Sequence, residues 1–125
     1  MAARTEHREA SATNPHARAD EVSRRLHALI ADRLVTRPAL VDAARDAVVR
    51  WRDAGTLDDR YASRWLTLLA GPVAGVLAVL RSDDEASREL RQNSPFVGAV
   101  TPRERWDIIR AVDALLQADA EGGNA

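Results

Sequence analysis

The chain has 125 residues, of which 46% are hydrophobic, 30% charged and only 4% aromatic, with a formal net charge of −1 and no cysteine. That length and composition suit one globular domain with a core of Leu, Val, Ile and Ala, and the missing thiols exclude a disulfide framework, a cysteine nucleophile and thiolate zinc sites. All 18 basic residues are arginine, and the 19 acidic residues that balance them leave no global field to draw the chain to nucleic acid or an anionic membrane.

Positions 1–15 mix charged and small polar residues without an apolar run, which predicts a mobile N-terminal arm and no signal peptide. A helical domain is expected over 16–119. The first helix begins after Asn14-Pro15 and runs to about Val35, with Val22, Leu26, Leu29, Ile30 and Leu34 recurring on one face. Thr36-Arg37-Pro38 interrupts it, and Pro38 suits the first position of a second helix that buries Leu40, Val41, Ala44, Val48 and Trp51. Gly55 is its expected stop, because glycine adopts the left-handed exit at little cost.

Asp58 or Asp59 caps a third helix with Tyr61, Trp65, Leu68 and Leu69 inward. Gly71-Pro72 ends it and opens a fourth, built on Val73, Val76, Leu77 and Leu80. The stretch Trp65–Leu80 is too short and too broken by Gly71-Pro72 and Gly75 to be a membrane span. With no export signal either, the expected location is the cytoplasm.

Ser82-Asp83-Asp84-Glu85 reads as a capping box before a short fifth helix with Ala86 and Leu90. A second box, Thr101-Pro102-Arg103-Glu104, starts a last helix with Trp106, Ile109, Val112, Leu115 and Leu116 inward. Positions 120–125 complete the chain as a mobile tail. No window alternates with period two, so the expected fold is all-α, an irregular bundle of five to six helices.

Motifs for chemistry are missing. His7, His16 and His27 form no helical metal-ligand pair, and GxxxxGK[ST], GxGxxG and GxSxG do not occur. The acids Asp58, Asp59, Asp83, Asp84 and Glu85 sit where helix N-termini favour negative charge, so capping accounts for them. The expectation is a non-enzymatic protein with no metal and no cofactor.

Two surfaces remain as binding candidates. Arg50 and Arg52 on the second helix, with Arg60 and Arg64 on the third, sit on a potential helix-turn-helix and would serve a DNA-binding regulator. Asp58 and Asp59 at the tip of the third helix oppose that reading, since they repel phosphates. The other surface gathers Arg88, Arg91, Arg103, Arg105 and Arg110 around Ser94-Pro95-Phe96-Val97-Gly98. Local ion pairs with Glu85, Glu89, Glu104 and Asp107 are the plain explanation of those arginines. Phe96 and Val97 are either a plug folded onto the core or an exposed apolar contact.

The run Arg91-Gln92-Asn93-Ser94-Pro95-Phe96-Val97-Gly98-Ala99-Val100-Thr101-Pro102-Arg103-Glu104-Arg105-Trp106 resembles a set of short bacterial helical proteins with the pattern RQxSPFxGxxxPxERW. The segments RWRDAG and RWLTLLAGPVAGVLAVLRSDDEASRELRQ are similar to that set's Trp-rich and SDDxxxxxLRQ segments, so the likeness spans about Leu40 to Arg110. Val97 and Ala99-Val100 depart from it conservatively. Members of the set look like partner genes in two-gene cassettes of the toxin–antitoxin type. The resemblance implies a binding partner rather than a reaction. The expected function is an antitoxin-like neutraliser of a protein encoded nearby, with Phe96 and Val97 as apolar anchors and Arg91, Arg103 and Arg105 as charged contacts. A homodimer through the fourth helix is a further expectation.

Overall fold

Leu26, Ile30 and Leu34 repeat every fourth residue, and the helix they define carries the rest of the molecule. A computed structural model describes residues 15–123. Among them are six α-helices, one turn of 3-10 helix and no strand. The helices are α1 (Pro15–Thr36), α2 (Ala39–Asp53), α3 (Asp59–Ala70), α4 (Val73–Arg81), α5 (Glu85–Arg91) and α6 (Pro102–Gly123), with the 3-10 turn at Val97–Ala99. Positions 1–14, expected as an arm, lie outside the described residues. The expected tail differs in its boundary, since α6 continues to Gly123. No helix among the described residues is long and apolar enough to cross a membrane.

Local chemistry sets the helix ends. Gly55 has a φ of 75° and closes α2 through two backbone bonds, Gly55 N–H to Arg52 O and Thr56 N–H to Trp51 O. This is the six-to-one and five-to-two pair of a Schellman motif. Asp58, not Asp59, caps α3, accepting the Arg60 N–H at 2.8 Å. At α5 the expected box gives way to a different cap. Asp84 accepts the Ser87 N–H at 2.7 Å, while the Ser82 hydroxyl accepts the Asp84 N–H at 3.2 Å and donates to the Asp84 carboxylate. Asp84, not Ser82, occupies the N-cap position three residues before Ser87, so its carboxylate reaches that orphan donor. At α6 the box is reciprocal: Glu104 accepts the Thr101 N–H at 2.8 Å, and Thr101 accepts the Glu104 N–H at 3.1 Å.

α1 packs against α4 and α6, while α2 and α3 pack on each other. α5 joins through α4 and, more lightly, α1. Between these layers lie Trp65 and Phe96, both fully buried, with ring centroids 6.1 Å apart and planes at 67°. That edge-to-face contact is the favoured aromatic geometry. The Trp65 indole N–H donates to Leu90 O at 3.2 Å, so the ring enters the core without an orphan donor. Phe96 is therefore the core plug, and an exposed anchor at this position is ruled out.

The inward face expected for α6 is only partly observed. Val112 is fully buried and Ile108 and Ile109 are half-buried, but Trp106 is 57% exposed and Leu115 42%. The cause is the number of neighbours. Among the described residues, all extensive packing of α6 is with α1, so one narrow strip is covered. Trp106 precedes Val112 by six residues, about 120° around the helix, and falls outside that strip.

Candidate functional site

The segment 91–106 and the first half of α1 meet at a cleft of 610 Å³ between α1, α5 and α6. Its charged lining is Arg18, Arg88, Arg91 and Arg105 against a single carboxylate, Asp20. Val22, Leu26, Val97 and Ile109 supply the apolar part of the wall. A shallower apolar groove adjoins it, lined by Val97, Gly98, Val100, Pro102, Trp106 and Ile109. Val97, Arg105 and Ile109 border both, so the two concavities share one ridge.

Two of the four acids expected to pair near this surface, Glu89 and Glu104, are committed elsewhere. The sequence suggested short-range pairs within α5 and α6, but Glu104 pairs with Arg33 of α1, which also donates to Ala99 O at 2.8 Å. The Arg33 guanidinium and the Thr101 N–H hold the Glu104 carboxyl well below its ordinary 4.5, at about 2. Glu89 accepts from the Tyr61 hydroxyl. Among the described residues, no ion pair involves Arg88, Arg103, Arg105 or Arg110. Long-range partners have taken Glu104 and Glu89, and these arginines face solvent and the cleft.

Arg91 stands apart from the other arginines. It is 4% exposed, and its Nη1 donates to Val79 O at 2.8 Å and to Ser82 O. A cation thus closes the carbonyl end of α4, where the helix dipole favours positive charge. Burial lowers the Arg91 pKa, and Asp83 and Asp84 oppose that shift. A charged contact free on the surface, as the sequence suggested for Arg91, does not match this burial. Arg103 is exposed, Arg105 half-buried and Val97 47% exposed, so these three do reach the surface.

His27 is the feature that sequence reading passed over. It is 4% exposed, with Nδ1 2.7 Å from Ser23 O. That carbonyl can only accept, which puts the proton on Nδ1 and leaves Nε2 as a lone pair. Burial pulls the imidazole from 6.5 to about 4; the Ser23 carbonyl resists, and Arg91 and Arg105 add to the fall. His27 Nε2 and Arg91 Nε are buried without a hydrogen-bond partner among the described residues. Both residues line the cleft. The sequence sets His27 beside the polar face of α1, one residue after Leu26; the structure instead buries it at the edge of the strip formed by Leu26, Ile30 and Leu34, where a polar ring must find a partner.

On the other candidate surface, Arg60 stacks over the Tyr61 ring at 5.0 Å, donates to the Tyr61 hydroxyl at 3.2 Å and lies 3.9 Å from Glu89. Arg52 pairs with Asp53 at 3.5 Å, Arg64 is half-buried and Arg50 is exposed. Two of those four arginines are thus engaged within the protein. No group of three or more His, Asp or Glu among the described residues is placed to hold a metal ion. Comparison of the chain with family models, with curated proteins and with solved structures returns no match.

Proposed function

We propose that the protein is a non-enzymatic interaction module, an antitoxin-like neutraliser that acts in the bacterial cytoplasm on a partner protein encoded beside it. The observation that carries this reading is Trp106, 57% exposed beside the apolar groove, with Val97 47% exposed on the groove's other margin. Large side chains of this kind are normally withdrawn from water, and tryptophan with arginine is the pairing most enriched at interface hot spots. Arg103 and Arg105 stand on the same turn of α6 as Trp106 and make no ion pair among the described residues. They fit a partner with an apolar knob rimmed by carboxylates. The likeness of positions 91–106 to partner members of two-gene cassettes supports the antitoxin assignment. Trp106 thereby replaces Phe96 as the aromatic anchor.

The test is capture of the tagged protein from its native host after nuclease treatment, at low and moderate salt. One stoichiometric protein is expected to survive moderate salt and to be lost with Trp106→Ala, while Arg103→Ala and Arg105→Ala sharpen the salt dependence. Full retention of that protein by Trp106→Ala refutes the surface. Nucleic acid recovered when the nuclease is omitted, with no protein partner and lost with Arg50→Ala and Arg60→Ala, replaces the reading with DNA binding. A second copy of the chain as sole partner refutes the neutraliser.

A further inference from the structure

The cleft between α1, α5 and α6 has the chemistry of a small-molecule site. Its 610 Å³ lies within the range of pockets that enclose small ligands, and its wall alternates apolar and cationic groups. Arg18 is already bound to Asp113 at 2.6 Å, but Arg88 and Arg105 carry charge that no carboxylate of the described residues meets within ion-pair distance. Among the described residues Asp20 is the one acid on the wall, so the cationic groups outnumber it. Two buried atoms of wall residues have no hydrogen-bond partner among the described residues: the His27 Nε2 lone pair, which only accepts, and the Arg91 Nε–H, which only donates. Groups left in that condition cost free energy, and native proteins rarely retain them without a bound species to satisfy them.

We infer that this cleft binds a small organic oxyanion carrying an apolar body and its own hydroxyl or N–H donor. The oxyanion meets Arg88 and Arg105 at the mouth, with Arg91 Nε–H as a further donor. The ligand's hydroxyl or N–H satisfies His27 Nε2, and its apolar body lies against Val22, Leu26 and Ile109. Arginine suits this task because its planar donors match an oxyanion in pairs. An unprotonated imidazole is what the donor requires, and the low pKa of His27 keeps it in that form at neutral pH. The site is separate from the groove beside Trp106, although Val97 and Arg105 border both.

Three probes dissect the proposal: 4-hydroxybenzoate has anion, ring and donor; benzoate lacks the donor; 4-methylphenol lacks the anion. Each is titrated into the protein and read by the nitrogen shifts of the His27 ring and the Arg91 side chain. The expected result is saturable binding of 4-hydroxybenzoate with a dissociation constant on the order of 1 mM or tighter. Benzoate and 4-methylphenol should each bind about tenfold more weakly, the usual loss when one such interaction is removed. Arg88→Gln and Arg105→Gln, both changes at accessible side chains, should each weaken 4-hydroxybenzoate by several-fold, and Trp106→Ala should leave it unchanged. A partner's aspartate or glutamate offers the anion without the donor, as benzoate does. Equal binding of benzoate and 4-hydroxybenzoate therefore overturns the small-molecule assignment. Absence of saturation by about ten times that concentration, or indifference to both arginine variants, overturns it too.

Discussion

Acid should unfold this protein through His27 before it reaches the carboxylates. The imidazole titrates at 6.5 in the unfolded chain and at about 4 in the folded one, because burial penalises its charged form. Between those values the unfolded state binds the extra proton, so stability is complete above pH 6.5 and falls as pH drops towards 4. At about 1.4 kcal/mol per pH unit the total loss is about 3 kcal/mol, of which about 2 kcal/mol falls between about pH 7 and pH 5. That is a large share of the roughly 5–15 kcal/mol that holds a domain folded. Glu104 adds a loss of the same sign at lower pH, as its carboxyl protonates between 4.5 and about 2. The interval from about pH 7 to pH 5 therefore isolates the histidine. Urea unfolding followed by circular dichroism, at a series of pH values, measures the slope in the natural protein and in His27→Gln. The variant should be less stable throughout but flat across that interval. An equal slope in both proteins, or a flat profile in the natural one, would refute the assignment of a buried neutral imidazole.

Phe96→Ala should cost about 3–5 kcal/mol in denaturant unfolding, because it empties the space against Trp65. Trp106→Ala should stay within about 0.5 kcal/mol of the natural protein, since its ring is largely in water; a loss comparable to that of Phe96→Ala would place the ring in the core. Thr101→Ala removes one half of the reciprocal cap of α6 and should lower stability by about 1 kcal/mol. Gly55→Ala meets no atom within 4 Å, so its cost should be that of the left-handed backbone alone, about 1 kcal/mol. A melting temperature raised by that change would contradict the positive φ.

Features set by neighbouring residues in the chain are legible in the sequence itself. Thr101 and Glu104 stand three apart and bond each other as their spacing predicts, and Gly55 ends α2 through the one backbone conformation that favours glycine. Apart from the C-terminal end of α6, which runs four residues past position 119, the helices begin and end within a residue or two of their signals. What spacing cannot reveal is how many neighbours each helix acquires. The apolar arc of α6 is wide enough for two neighbours, yet α1 alone covers it, so Trp106 points outward. Arg91 reads as a surface cation because arginine usually is one. Its burial follows from the carbonyls of α4 arriving beside it, a meeting fixed by the turn at Ser82. The arginines of α5 and α6 read as locally paired for a similar reason. Glu104 and Glu89 instead turn to residues far away in the chain. The choice between plug and exposed contact at Phe96 is decided in the same way, by Trp65 offering an edge for the ring to meet.

The one-sided attachment of α6 has a kinetic consequence. Val112 is its one fully buried residue among those described, and its charged ties to α1 are Arg33 with Glu104 and Arg18 with Asp113. The second of these is about half in solvent, where dissolved salt screens it. Backbone amides of α6 should thus exchange with deuterated water through a local opening that leaves α1, α3 and α4 protected. Added salt should speed that opening without touching the slowest amides. Because Arg105 and Ile109 of α6 form one wall of the cleft, each opening also widens its mouth. The rate at which a molecule enters or leaves would then be governed by how often this helix lifts, and a ligand that bridges α1 and α6 would slow exchange along its whole length.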